Sequence, residues 1–114
     1  MKELCPRFEK AMQLFGKRWV GLVLFELLEG PKRFSQMETE LPISGRLLSE
    51  RLKMLEQESI VERRVYSEFP VRIEYVLTEK GLALQPVIKD IQNWAEAWVT
   101  EEEVAILKED LPTN

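Results

Sequence analysis

The chain has 114 residues, 45% of them apolar and three of them Trp, enough for one domain with a real core and without an apolar run long enough to span a membrane. With no His and a single Cys, it can build neither a His/Cys metal site nor a Ser–His or Cys–His pair, and no Gly-rich phosphate loop is present. The net charge of −4 weighs against a polyanionic partner, but the deficit lies in residues 81–114, with two basic and seven acidic groups, whereas residues 31–80 carry nine of each.

The expectation is therefore a non-enzymatic domain with no metal and no cofactor. The start, MKELCPRF, lacks the apolar stretch of a signal peptide, which points to the cytoplasm, and one Cys without an internal partner fits that compartment.

In chain order, Pro6 suits the first position of a helix over about 5–15, with Phe8, Met12 and Phe15 on one face and Gly16 as its stop. RWVGLVLFELLEG is apolar on most sides, as a buried central helix is, and Gly30-Pro31 ends it. In FSQMETEL, Ser35 and Glu38 have capping-box spacing, and Met37 and Leu41 lie one turn apart. Pro42 breaks that helix, and Ser44 caps the next, ISGRLLSERLKMLEQES. About three residues between helices, within about 34–58, is helix-turn-helix spacing, although many helical hairpins share it.

Stepping the second helix at about 100° per residue puts Leu48, Leu52 and Leu55 on a buried stripe, with Leu47 and Met54 beside it. Arg46, Ser49 and Lys53 cluster opposite, while Arg51 falls on the buried side and is expected to lie over the core against a carboxylate. Beyond it, IVERRVY and VRIEYVL flank the turn SEFP over about 60–77, with Val71, Ile73, Tyr75 and Leu77 on one face and Arg72 and Glu74 on the other. Thr78 then caps a long helix to about 99, kinked or broken near Pro86, whose Val87, Ile91, Trp94 and Trp98 form a stripe. Thr100 and Glu103 offer a capping box for a short final helix. The fold class is mainly α with a small antiparallel β-wing: a winged helix-turn-helix in a single domain, 1–114.

In a helix-turn-helix, the N-terminal part of the second helix meets base edges in the major groove. Arg46 suits a guanine edge, and Ser49 and Lys53 suit bases or phosphates; a merely solvated face is the alternative, and the wing that follows tips the balance towards DNA. Arg72, near the wing tip, fits a minor groove; Arg63 and Arg64 fit that role and cross-strand pairing with Glu62 or Glu74 equally well. Lys32 and Arg33 are candidate phosphate contacts or solubilising charges. Cys5, with Lys2 and Arg7 near it at a helix start, is either a reactive thiol or a small buried apolar residue. Leu4, Phe8 and Met12 at one end, and Ile91, Trp94 and Trp98 at the other, suit burial in a homodimer.

The succession CPRFEKAMQLFGKRW, LLEGPKRFSQM, LSERLKMLE, VERRVY and FPVRIEYVLTEKGLAL resembles the HxlR-type winged-helix regulators, relatives of the MarR group, in the right order from Cys5 to about Trp98. The resemblance implies a homodimeric transcription regulator that binds double-stranded operator DNA, an inverted repeat, with no membrane partner. On that pattern Ser44, Arg46, Ser49 and Lys53 match the reading face and Arg72 the wing-tip Arg. Cys5-Pro6 matches the N-terminal Cys that several members use to sense oxidants or electrophiles. Two departures stand out: Glu58-Ser59-Ile60 replaces the family's Gly after the reading helix, which implies a looser or differently built turn, and LPIS is one residue short of LPGIS. The rival from another class is a winged-helix protein-interaction module without DNA, in keeping with the pI near 5.0.

Overall fold

The computed structural model describes residues 5–110, so the expectations for Lys2 and Leu4 lie outside the described residues. Four helices come first: α1 (Pro6–Phe15), α2 (Val20–Leu27), α3 (Phe34–Glu40) and α4 (Gly45–Gln57). A hairpin of β1 (Val61–Tyr66) and β2 (Arg72–Leu77) follows, then α5 (Glu79–Leu82), α6 (Gln85–Trp98) and α7 (Glu101–Asp110). The strands pair antiparallel from Val61 opposite Leu77 to Tyr66 opposite Arg72. Tyr75 and Leu77 turn to the core, as the alternation predicts, whereas Val71 lies before the strand and is exposed and Ile73 is not among the residues packed on the core.

One core joins these pieces. Val20, Val23, Leu24 and Leu27 of α2 meet Met37 of α3, the turn residues Leu41 and Ile43, and the Leu48–Leu52–Leu55 stripe of α4. Ile60, Val61 and Leu77 close it from the wing, and Ile88 from α6. Leu47 and Met54 flank the stripe half-buried, as expected. Among the described residues, no helix is long and apolar enough to cross a membrane.

Several local expectations change. The first residue before α3 is Arg33, not Ser35; the Gln36 side chain accepts the Arg33 backbone N–H at 2.9 Å, while Ser35 sits inside the helix and its carbonyl accepts from the Thr39 hydroxyl. An Arg side chain has no acceptor, so this is half of a capping box. Leu41 is already extended, which leaves the four residues 41–44 between the helices. The long helix after Thr78 is two helices. Pro86 has no N–H for the Leu82 carbonyl and its ring crowds that group, so α5 stops at Leu82 and the chain restarts at Gln85. Thr100 and Glu103 do form their capping box: the Glu103 N–H donates to the Thr100 hydroxyl at 3.1 Å and Glu103 Oε1 lies 3.5 Å from the Thr100 nitrogen.

The turn after α4 is differently built rather than loose. Ser59 takes φ +60° where a Gly is usual, the Ile60 N–H reaches the Leu55 carbonyl at 2.9 Å, and the Ser59 N–H reaches that of Glu56 at 3.0 Å. These are the two bonds of a Schellman motif, with buried Ile60 and Leu55 as its apolar pair. A left-handed Ser carries a Cβ cost that Gly avoids. Ser59→Gly is therefore expected to raise unfolding free energy by about 0.5–1 kcal/mol, net of the extra freedom Gly gives the unfolded chain. Denaturant titration checks it; no gain would mean the hydroxyl compensates.

The segment Thr78-Glu79-Lys80-Gly81 finishes the same helix end from outside. Thr78 Oγ1 donates to the Ser59 carbonyl at 2.6 Å and accepts the Gly81 N–H at 3.2 Å, and Lys80 Nζ donates to the Glu58 carbonyl at 2.6 Å. Any side chain at buried Gly81 would run into the Ile60 carbonyl. These contacts lock the start of the wing to the C-terminus of α4.

Candidate nucleic-acid interface

With its Leu stripe buried, α4 offers only its outer face. Arg46, Ser49 and Lys53 are exposed there together. Arg46 Nη1 pairs with Glu50 one turn on at 3.0 Å, an exposed pair of the kind worth roughly 0–1 kcal/mol and easily exchanged. Ser44 is half-buried and its hydroxyl accepts the Leu47 N–H at 3.2 Å, so it serves first as the cap of α4.

Among the described residues, Arg51 does not meet a carboxylate. Its Nε donates to the Arg18 carbonyl at 2.8 Å, holding α4 against the turn in which Trp19 adopts φ +78° before α2. The Arg18 guanidinium stacks 4.6 Å from the Trp19 ring centroid.

The remaining cations divide sharply. Among the described residues, Arg33, Lys53 and Arg63 have no carboxylate partner. Lys32, expected on an open surface, is instead a counter-ion inside the fold. Its side chain is 14% exposed, with Nζ 2.9 Å from Glu29, 3.2 Å from the 12%-exposed Glu26 and 3.3 Å from Glu40. Hydrogen bonds to Glu29 and then Glu26 raise its pKa. The three carboxylates are close enough to resemble a cation site, and the ammonium of Lys32 is the cation they hold. Lys32 also exchanges two backbone bonds with Tyr75, at 3.0 and 2.8 Å, which fastens the wing to the α2–α3 connection.

Arg72 is similarly engaged. It lies 4.3 Å over the Tyr66 ring, 3.2 Å from Glu68 and 3.9 Å from Glu74. Arg64 pairs with Glu62 at 3.4 Å, and its pKa is raised by Tyr66 first and Glu62 second.

Cys5 is exposed and stands at the N-cap of α1, where its carbonyl accepts the Glu9 N–H at 3.0 Å; the expectation of a buried apolar Cys does not hold in the single chain. Helix α1 is tied to the end of α4 by Lys10 Nζ and Glu58 Oε1 at 2.9 Å. That bond lowers the Glu58 pKa from its ordinary 4.5. Because the folded value is depressed, the tie stabilises the fold above the ordinary carboxylate range and is lost as pH falls through the depressed value. Lys10→Ala is thus expected to speed amide exchange in α1 relative to α2 at neutral pH, and to change nothing once Glu58 is protonated. An equal effect at both pH values would disprove the tie.

The proposed dimer residues are all exposed: Phe8 and Met12 on α1, and Ile91, Trp94 and Trp98 on α6, with Trp94 at 62% and Trp98 at 71%. Sequence reasoning missed Leu22 and Phe25. They are exposed on the otherwise buried α2 and, with Ile91, line an apolar groove of about 280 Å³ between α2 and α6. The near-continuous apolarity of RWVGLVLFELLEG was the available signal, since more apolar faces than one core needs imply a second covering.

The family model for HxlR-like helix-turn-helix proteins matches residues 14–103. The HTH-type transcriptional regulator YvaP of Bacillus subtilis (strain 168) is 57% identical over 98 residues, 85% of this chain and 91% of that one. The reduced form of the transcriptional regulator YodB from B. subtilis superposes with a TM-score of 0.76 at 50% identity, covering 85% of this chain and 96% of the other. The redox regulator HypR in its oxidized form superposes with a TM-score of 0.76 at 35% identity, covering 82% and 96%. The exposed outer face of α4, the wing fastened behind it and these likenesses agree: the chain belongs to the HxlR-like helix-turn-helix family of transcriptional regulators.

Proposed function

We propose that the chain works as a homodimer on an inverted repeat, each protomer laying α4 in a major groove, and that oxidation or electrophile attack at Cys5 switches it. The observation that carries this is the division of α4: three apolar positions buried and Arg46, Ser49 and Lys53 left open on one face. Arg46 reads a base edge with Ser49 beside it; Lys53, Arg33 and Arg63, which have no carboxylate to release among the described residues, contact phosphates. Lys32 and Arg72 support the wing rather than the DNA, because their charges are already matched within the chain. Phe8, Met12, Ile91, Trp94 and Trp98 form the dimer seam.

The thiol reading is supported by the exposure of Cys5 and by YodB, which has been solved reduced, diamide-treated and quinone-bound. The chain has one Cys, so in the purified protein, with no small thiol present, a disulfide joins two chains. Two thiols then lose two electrons and two protons to diamide, which becomes the hydrazine.

Fluorescence anisotropy with duplex from upstream of the chain's own gene tests both halves, at two salt concentrations, before and after diamide. Tight, salt-sensitive binding that diamide abolishes, and that Cys5→Ser preserves, is expected. Binding indifferent to diamide would remove Cys5 and keep the regulator; no binding in either state would favour the interaction module that the pI of 5.0 allows.

A further inference from the structure

The tip of the wing is apolar, and its nearest cation is withdrawn. Phe69 is 104% exposed, touching nothing that hides its ring, and Val71 and Val65 beside it are also open. Arg72 lies back on Tyr66 and pairs with Glu68, so the one acidic group of the turn is neutralised where it would otherwise repel phosphates. The hairpin is anchored at its base by the Lys32–Tyr75 bridge and by Thr78 on the end of α4. Six residues per strand carry the tip about 20 Å from Thr78, the outer ~10 Å of it beyond the Lys32–Tyr75 bridge. A minor groove lies about half of the 34 Å turn from the major groove holding a reading helix, roughly 17 Å. Measured from the end of α4, the length of the wing is comparable to the step between grooves.

We infer that Phe69 is an apolar wedge that the wing places against a base step in the minor groove flanking each half-site, a proposal that rests on the DNA reading of α4. Partial unstacking by an inserted ring is least costly at pyrimidine–purine steps, so Phe69 adds preference for TA or CA at a position no hydrogen-bonding side chain reaches. A ring displaces no counterions, so its contribution is independent of salt, unlike that of Arg63 or Lys53.

The experiment is binding of the full chain to the upstream duplex carrying 2-aminopurine at each adenine of a pyrimidine–purine step in turn, over a salt series. Wild type is expected to raise emission at one step on each side of the dyad. Phe69→Ala should lose that signal, bind about tenfold more weakly and keep the same salt slope and melting temperature. Phe69→Trp should retain binding and signal. If wild type binds and Phe69→Ala binds equally well, or changes the salt slope, the wedge is overturned and the DNA reading stands. Loss of the dimer on sedimentation of Phe69→Ala would assign the tip to a second copy of the chain and also overturn it. No wild-type binding would take down both.

Discussion

Replacing Arg46 by Ala is expected to erase the difference between operator and random duplex while leaving the weaker, salt-dependent binding in place. Arg46 is open to solvent and, among the described residues, paired with Glu50, an exchange partner whose loss costs little. A bidentate contact to a guanine edge supplies about 1–3 kcal/mol of discrimination, counted once in each half-site of a dimer. Lys53→Ala and Arg63→Ala should behave differently, weakening both duplexes alike and reducing the salt slope by about one phosphate contact each per protomer. Paired anisotropy titrations on the two duplexes separate these outcomes. If Arg46→Ala loses equal affinity for both duplexes, it is a phosphate contact and the division of roles on α4 fails.

Trp94→Asp is expected to leave a folded protein of 13.4 kDa rather than a dimer of twice that mass. Trp94 contributes nothing to the single-chain core, being 62% exposed, so circular dichroism should be unchanged. Its neighbours Ile91 and Trp98, with Leu22 and Phe25 across the groove, form an apolar surface in which an unpaired carboxylate is heavily penalised. Operator affinity should fall at least a hundredfold, because the second half-site is no longer held at a high effective concentration beside the first. Analytical ultracentrifugation gives the mass directly. A Trp94→Asp protein that still sediments as a dimer would move the seam elsewhere.

What the sequence revealed was what short-range physics controls. The Leu48–Leu52–Leu55 stripe follows from helical period, the wing from a change of period, the start of α1 from Pro6 and the start of α7 from Thr100 with Glu103. The break after Leu82 was expected near Pro86, and the carbonyl it crowds explains where it falls. What escaped depends on partners brought together by tertiary packing. Arg51 was expected to find a carboxylate and found the carbonyl of a residue 33 positions away. Lys32 and Arg33 are neighbours in sequence with opposite fates, because only Lys32 points into the space between Glu26, Glu29 and Glu40. Ser59 in a left-handed turn has no sequence signature of its own; the need for it is set by Ile60 having to return to the core. Arg72, expected near the minor groove, is engaged within the wing for a similar reason: Tyr66, Glu68 and Glu74 are brought around it by the hairpin.

The central claim is that α4 enters the major groove of both half-sites. Dimethyl sulfate footprinting of the wild-type complex tests it most directly, since the reagent attacks guanine N7 on the major-groove edge where an Arg side chain binds. Protected guanines are expected in two clusters about one helical turn apart, related by a two-fold axis, and lost with Arg46→Ala under saturating protein. Saturated DNA whose guanines remain uniformly reactive, or whose protection survives Arg46→Ala unchanged, would contradict it.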